Sequence, residues 1–301
     1  RNDEPSPTRA AVLVRLQHSH IRIGTFQRLA YFDEAENIRL LTDYCLRHYY
    51  GEEGGDDSAP RLLARVVEAA AQLAASYIAA GFVHGVLNSD NIAITAQSFD
   101  YGPWRFTPTW DGAFTAAYFD HAGLYAFGRQ PEAIHWDLVQ LARSLTLIAE
   151  ADSLSPALDA FPNQFQHALV EAVFARLGIQ PKQDGRDTEL LIAFETALAA
   201  KSVEIDRFSF DWRGGRRRGP TPADAVYQAE LFTALEAALA DFAPIEGALD
   251  HAYWSDPGPC SMHIDEVEAI WSRIDEADDW SPFNAKIAAI RRMGAAMQGP
   301  A

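Results

Sequence analysis

Apolar side chains recur at helical spacing along most of the chain. Asp33 to Tyr50 opens with an acidic cap and has apolar residues every three or four positions, which predicts a helix. Pro60 to Ala80 is rich in alanine and leucine and is followed by Gly81, so this stretch predicts a longer helix that ends at a glycine. Further helices are predicted at residues 132–150, 223–242, 264–274 and 283–297, with two or three more within residues 154–200.

Two short apolar stretches predict strands instead of helices. Ala10 to Leu16 alternates loosely and is rich in valine and leucine, which predicts a buried strand. Ile92 to Thr95 is a short apolar run between two polar loops and predicts one strand of a small hairpin. The whole pattern therefore predicts an α+β fold that is mostly α, with a small β element.

Polar residues with ligand chemistry surround the second predicted strand. His84, Asp90, Asn91 and Asp100 fall within seventeen residues, on the two loops that flank this strand. Loops that leave one hairpin can bring an amide and two carboxylates to a single point. Protein kinases hold Mg²⁺ in this way, because a loop of pattern H-x-D-x-x-x-x-N supplies an asparagine and a following D-F-G supplies an aspartate.

The chain matches this kinase pattern except at one position. The stretch from His84 to Asn91 has the length of the kinase loop, and Asp100-Tyr101-Gly102 stands where D-F-G would be. Val86 occupies the position of the kinase base, so ordinary γ-phosphoryl transfer to a protein hydroxyl is not expected. Asn91 and Asp100 remain as metal ligands, and their oxygens suit Mg²⁺ or Mn²⁺. His84 is predicted to pack beneath the loop rather than to act in catalysis.

Several motifs in one order resemble a known family. They are HGVLNSDN followed by DYGP between residues 84 and 103, FDHAGLYAFGRQP at residues 119–131, and SHIRIGTFQ at residues 19–27. Together they resemble the SelO family of kinase-fold protein adenylyltransferases. The resemblance is strong from about residue 11 to residue 145 and weak afterwards, apart from FDWRGG at residues 210–215.

The resemblance implies a reaction and a set of site residues. Members of the family bind ATP in a reversed orientation and transfer AMP to serine, threonine or tyrosine hydroxyl groups of proteins. By motif, Asp90 would accept the proton, while Asn91 and Asp100 would hold Mg²⁺ or Mn²⁺ against the bound ATP. Arg15 and Arg22 would grip the nucleotide phosphates, since planar guanidinium groups bind phosphate in a bidentate manner. Without the resemblance, both arginines could be surface cations and Asp90 a turn residue.

Two other functions would use the same metal ligands. One is a kinase that moves the γ-phosphate, and the other is a non-catalytic pseudokinase that binds nucleotide and acts as a scaffold. The adenylyltransferase hypothesis is favoured over both because the motif set and the missing kinase base occur together.

The resemblance also makes a prediction about domain organisation. It implies one kinase-fold domain over residues 1–301, with an active-site half at residues 1–150 and a helical half at residues 151–301. Neither a glycine-rich phosphate loop nor a strand lysine precedes the first apolar stretch. We therefore expect a protein-kinase-like C-lobe whose N-lobe is largely missing, and we expect these residues alone to be catalytically inactive.

Charge and cysteine content restrict the partners and the compartment. A formal net charge of −17 argues against nucleic acid, because phosphate contacts need clustered lysine and arginine. The basic cluster from Arg213 to Arg218 predicts a solvated turn or, as the alternative, a contact with acidic proteins or nucleotide phosphate. Cys45 and Cys260 are far apart and predict two free thiols in a reducing cytoplasm. No apolar run is expected to reach the roughly 18 residues that span a bilayer.

Overall fold

The described part of the chain is mostly helical. A computed structural model describes residues 12, 14–98 and 100–298. The helices in these residues are α1 (Ile23–Tyr31), α2 (Ala35–Cys45), α3 (Ser58–Ala80), α4 (Gln130–Leu145), α5 (Ala151–Asp159), α6 (Phe161–Leu177), α7 (Gly185–Ala199), α8 (Ile205–Asp211), α9 (Glu230–Leu239), α10 (Ile264–Ala277) and α11 (Ser281–Gln298). Strands β1 (Phe82–Val83) and β2 (Arg105–Phe106) pair antiparallel, with Phe82 opposite Phe106. The predicted mostly-α class of α+β fold is therefore confirmed.

Helix α3 separates two hydrophobic cores. It packs against α6, α4 and α5, and its alanine-rich sequence allows these helices to approach closely. Leu62, Leu63 and Val66 lie in the core that α3 shares with α1, α2, α4 and α5. Ile78, near the end of α3, lies in the second core, which is formed mainly with α6, α7 and α9. Helix α3 ends at Gly81, whose φ of 69° is favoured by glycine, and the chain then enters β1.

Most of the predicted helices are confirmed, with shifted bounds. The predicted helix from Asp33 to Tyr50 is α2 followed by a π-helical turn, Leu46–Tyr50. The predicted helix at 223–242 is wrong in its first half, because a short 3₁₀ turn, Val226–Gln228, precedes α9. The backbone of Ala229 is extended between the two, so the helix begins only at Glu230.

Both predicted strands are wrong. Among the described residues of the first, Val12, Val14 and Leu16 have no strand pairing and are 93%, 83% and 95% exposed; residues 10, 11 and 13 lie outside the described part. Ile92 to Thr95 makes isolated bridges and then turns back, since the Ala93 N–H donates to the Gln97 carbonyl at 2.8 Å. The observed strands, β1 and β2, lie on either side of this stretch along the chain.

By length and composition, α3 could cross a membrane. Its apolar window has a mean hydropathy of 1.3, which corrects the expectation that no stretch would be long and apolar enough. Of that window, 61% is buried against the other helices, as in the central helix of a packed protein.

Candidate active site

The loop from Val86 to Asn91 closes on itself through hydrogen bonds. The Asn91 backbone N–H donates to the Asn88 carbonyl at 2.8 Å, and the Asp90 N–H donates to Asn88 Oδ1 at 3.0 Å. The Asn91 side-chain Nδ2 donates to the Val86 carbonyl at 2.7 Å. This bond holds the NH₂ group of the Asn91 side chain inside the loop. The amide oxygen of Asn91 is then the atom that can coordinate a cation.

Helix α1 begins directly against this loop. The Gly24 N–H donates to the Ser89 carbonyl at 2.9 Å, so the first turn of α1 and the loop share a backbone bond. Arg22 Nη1 donates to the Asp90 carbonyl at 3.2 Å and lies 3.8 Å from Asp90 Oδ1. The Asp90 side chain is 66% exposed. The structure thus brings together the predicted proton acceptor and one predicted phosphate ligand, and it leaves the carboxylate accessible from solvent.

Two polar side chains near the loop lie on helices α1 and α4. Ser89 Oγ donates to Gln27 Oε1 on α1, which is a second contact between α1 and the loop. Asp137 on α4 is fully buried, and burial raises the pKa of its carboxyl to about 8. The nearby negative charge of Asp90 contributes to this shift, and the Ser89 backbone N–H opposes it. Sequence reasoning missed Gln27 and Asp137; a polar residue within the otherwise apolar face of α4 was the available signal for Asp137.

Asp100 begins the turn that resembles D-F-G. Its Oδ1 accepts a hydrogen bond from the Gly102 N–H at 3.2 Å, which closes the turn, and its side chain is exposed. The Arg15 guanidinium lies 4.9 Å from the centroid of the Tyr101 ring, the residue next to Asp100. Arg15 and Tyr101 also line an open cavity of about 890 Å³. The second predicted phosphate ligand is therefore placed beside the turn that carries the predicted metal carboxylate.

His84 lies inside the protein beneath the loop. It is fully buried, and its Nδ1 accepts a hydrogen bond from the Val86 N–H at 3.4 Å. Burial lowers the pKa of this imidazole. A neutral, buried ring agrees with the packing role predicted from sequence.

The predicted metal ligands have the right chemistry for a hard cation. Asn91 and Asp100 offer an amide oxygen and a carboxylate, and Mg²⁺ commonly binds proteins through one or two such groups together with substrate phosphates. In the ranges that the structure describes, no group of three or more histidine, cysteine, aspartate or glutamate side chains could hold a metal ion. A cation held by Asn91 and Asp100 would complete its coordination with water and substrate oxygens.

The basic cluster at residues 213–218 is partly internal, so the predicted solvated turn is wrong for two of its arginines. Arg213 is 2% exposed and donates to the Arg176 carbonyl at 2.9 Å, at the C-terminal end of α6. Arg218 donates to the Phe210 carbonyl at 3.1 Å and stacks on the Phe210 ring. These guanidinium groups satisfy main-chain carbonyls and pack on aromatic rings, while Arg216 and Arg217 remain exposed.

Comparisons with known proteins identify the family of the chain. A family model described as protein adenylyltransferase SelO matches residues 1–219. Proteins named protein nucleotidyltransferase YdiU are similar over nearly the whole chain: that of Gloeobacter violaceus is 36% identical over 97% of this chain, and that of a Synechococcus species is 43% identical over 98%. The chain belongs to the SelO family. It spans 63% and 64% of the length of these two relatives.

Proposed function

We propose that the protein containing this chain transfers AMP from ATP to serine, threonine or tyrosine hydroxyl groups of proteins, with Mg²⁺ or Mn²⁺. Family membership supports nucleotidyl transfer as the reaction class. We also propose that residues 1–301 form one domain resembling a kinase C-lobe and that the protein acts in the bacterial cytoplasm. ATP and the acceptor protein are then its partners.

One observation about the loop carries the choice of AMP over phosphate. At the position of the kinase base, Val86 is apolar, and its Cγ2 lies at an ordinary contact distance, 3.8 Å, from a Cβ built on Gly102. A carboxylate is instead found four residues later, at Asp90, beside Arg22 and the first turn of α1. The proposed proton acceptor thus lies on the side of the loop that faces α1. The phosphate that reacts would therefore have to lie at a different place from the γ-phosphate in a kinase.

In the proposed reaction the acceptor hydroxyl oxygen attacks the α-phosphorus of ATP. A phosphoester bond forms, the bond from the α-phosphorus to the bridging oxygen breaks, and pyrophosphate leaves. The hydroxyl proton passes to the Asp90 carboxylate, which is exposed enough for an acceptor side chain to reach. Arg22 lies close to Asp90, and Arg15 and Arg22 would bind the phosphates.

Asn91 and Asp100 would hold the metal ion. When bound, the ion neutralises phosphate charge and orients the triphosphate. The loop contributes rigidity, because the Asn91 amide is fixed by its bond to the Val86 carbonyl. Orientation supplies much of the rate enhancement in such transfers, so a fixed ligand amide is expected to matter.

The test uses the full-length protein and ATP labelled separately at the α- and γ-phosphates. We expect the α-label to enter an acceptor protein and the γ-label to leave as pyrophosphate, with Asp100→Ala as the inactive control. Incorporation of the γ-label alone would show a kinase. Nucleotide binding without transfer of either label would show a non-catalytic scaffold.

A further inference from the structure

Gln130 is a fully buried polar side chain at the start of α4, and its amide joins two segments. Its Oε1 accepts a hydrogen bond from the His84 N–H at 3.0 Å. Its Nε2 donates to the Phe82 carbonyl at 2.8 Å and to the Phe127 carbonyl at 3.4 Å. A buried amide with three bonds to main-chain groups has a defined position, because each lost bond would leave a buried group unsatisfied.

At the edge of β1 that faces away from β2, the Gln130 amide makes the hydrogen bonds that a neighbouring strand would make. On one edge of β1, the Gly81 carbonyl accepts a bond from the Thr107 N–H at 2.8 Å, and Val83 lies opposite Arg105 of β2. Alternate residues of a strand direct their polar groups to opposite edges, so Phe82 and His84 face away from β2. Gln130 both accepts and donates at this second edge, as a strand residue would. The chain entering the loop is therefore held from both sides.

A continuous path of hydrogen bonds leads from Gln130 to the side chain of Asn91. Gln130 fixes the His84 N–H, and the His84 ring accepts from the Val86 N–H at 3.4 Å. The Val86 carbonyl then accepts from Asn91 Nδ2 at 2.7 Å. The positions of His84, Val86 and the Asn91 side chain are therefore linked, because each is hydrogen-bonded to the residue before it on this path.

The same amide reaches the segment that precedes α4. The Phe127 N–H donates to the Phe114 carbonyl at 2.9 Å, and the Gly128 N–H donates to the Gly112 carbonyl at 3.0 Å, so this segment is closed at its base. Gly85 lies against the same segment, since a Cβ there would be 3.2 Å from that of Ala116. Gln130 is the side chain that hydrogen-bonds both the base of this segment and the start of the loop.

We infer that Gln130 is a positioning residue that sets the Asn91 amide for metal–nucleotide binding. This inference rests on the proposed role of Asn91 as a metal ligand. Gln130 does not touch the bound ion; it acts through His84 and Val86. Substitutions of groups that orient metal ligands commonly cost about 10–100-fold in metal affinity, and a loss of that size is expected here.

The experiment measures Mn²⁺-dependent ATP binding by the full-length protein, with thermal unfolding as the check on folding. Gln130→Met removes the amide at similar size, and Gln140→Met is the matched control. Gln140 lies on the same helix, is half-buried, and has no side-chain hydrogen bond among the described residues. We expect Gln130→Met to need about tenfold more Mn²⁺ for half-maximal ATP binding, and Gln140→Met to be unchanged. Should Gln130→Met fail to fold, Gln130→Asn takes its place, because it keeps a polar side chain but withdraws the amide by one methylene from the His84 N–H.

A double-mutant cycle with Asn91→Ala separates positioning from general destabilisation. If Gln130 acts through Asn91, Gln130→Met will add less than about twofold to the Mn²⁺ requirement of Asn91→Ala. Fully additive effects, or unchanged Mn²⁺ dependence in a folded Gln130→Met, would overturn the inference. Binding rather than transfer is measured, so a protein found to move the γ-phosphate would contradict the proposed function and leave this result intact.

Discussion

Gly24 and Asp90 approach so closely that a side chain on the glycine would collide with the carboxylate. A Cβ built on Gly24 lies 2.2 Å from Asp90 Oδ1, well inside van der Waals contact. The approach follows from the bond between the Gly24 N–H and the Ser89 carbonyl, which brings the backbone of α1 against the loop. The glycine of the SHIRIGTFQ motif therefore leaves the space that Asp90 occupies.

Gly24→Ala should impair transfer by moving Asp90. The added methyl group must displace the carboxylate or the loop backbone, and misplacement of a reacting group by about 1 Å can cost about 100-fold in rate. We expect kcat to fall by about that factor, with a smaller change in ATP binding. Gly294→Ala on α11 is the matched control, because a Cβ there has open space. Equal kcat values for Gly24→Ala and wild type would show that the position of the Asp90 carboxylate does not control the rate of transfer.

Asp100→Ala and Asp90→Ala should fail in different ways. Removing Asp100 takes away the proposed anionic metal ligand, so both transfer and metal-dependent ATP binding should be lost. Removing Asp90 should lower kcat by about 100-fold or more, the range of general-base contributions, with little loss of binding. Rates and ATP affinities at several Mn²⁺ concentrations check this, with Asp152→Ala on the exposed face of α5 as control. Equal losses of affinity in the two variants would assign both carboxylates to the metal.

The two cysteines should differ sharply in reactivity. Cys45 is fully buried, and burial raises the pKa of its thiol to about 12, so almost no thiolate forms at neutral pH. Cys260 is only partly buried, and both residues are free thiols, as predicted. In the folded protein a maleimide should label Cys260 and spare Cys45, whereas in denaturant it should label both. In Cys260→Ser, rapid labelling of Cys45 without denaturant would show that the α2 core opens readily.

The sequence predicted the helices better than the strands, for physical reasons. The helix that ends at Gly81 could be predicted because its two signals, the amphipathic spacing and the terminal glycine, both lie within its own sequence. The turn at Ala93–Gln97 could not, since the Ile94 N–H is satisfied by the Ile21 carbonyl of a distant segment. Short apolar runs do not show whether a neighbouring strand exists.

The same distinction applies to the candidate site. Asp90, Asn91 and Asp100 could be identified because they share one short motif. Gln130 and Asp137 were missed, because their contacts with the loop depend on how α4 packs beneath it. The motif FGRQP contains Gln130, but nothing local indicates that its amide binds the strand edge before the loop.

The buried carboxyl of Asp137 should make stability fall as pH rises. Burial raises its folded-state pKa from 3.8 to about 8, so between about pH 4 and about pH 8 the folded protein holds a proton that the unfolded chain releases. The stability that Asp137 contributes is therefore fully present below the pKa of the unfolded state and is lost as the pH rises to the pKa of the folded state. For one group, the free energy of unfolding falls by at most about 1.4 kcal/mol per pH unit. Asp137→Asn removes the titration and should flatten the decline.

Urea unfolding across this pH range checks the prediction. The free energy of unfolding of Asp137→Asn should change less between about pH 5 and about pH 8 than that of wild type, while Asp152→Asn, at an exposed position, should follow wild type. The comparison is made in buffer without divalent metal, because an ion near Asp90 would alter the charge that Asp137 faces. Parallel curves for Asp137→Asn and wild type would contradict the prediction, because they would mean that folding leaves the proton affinity of Asp137 unchanged.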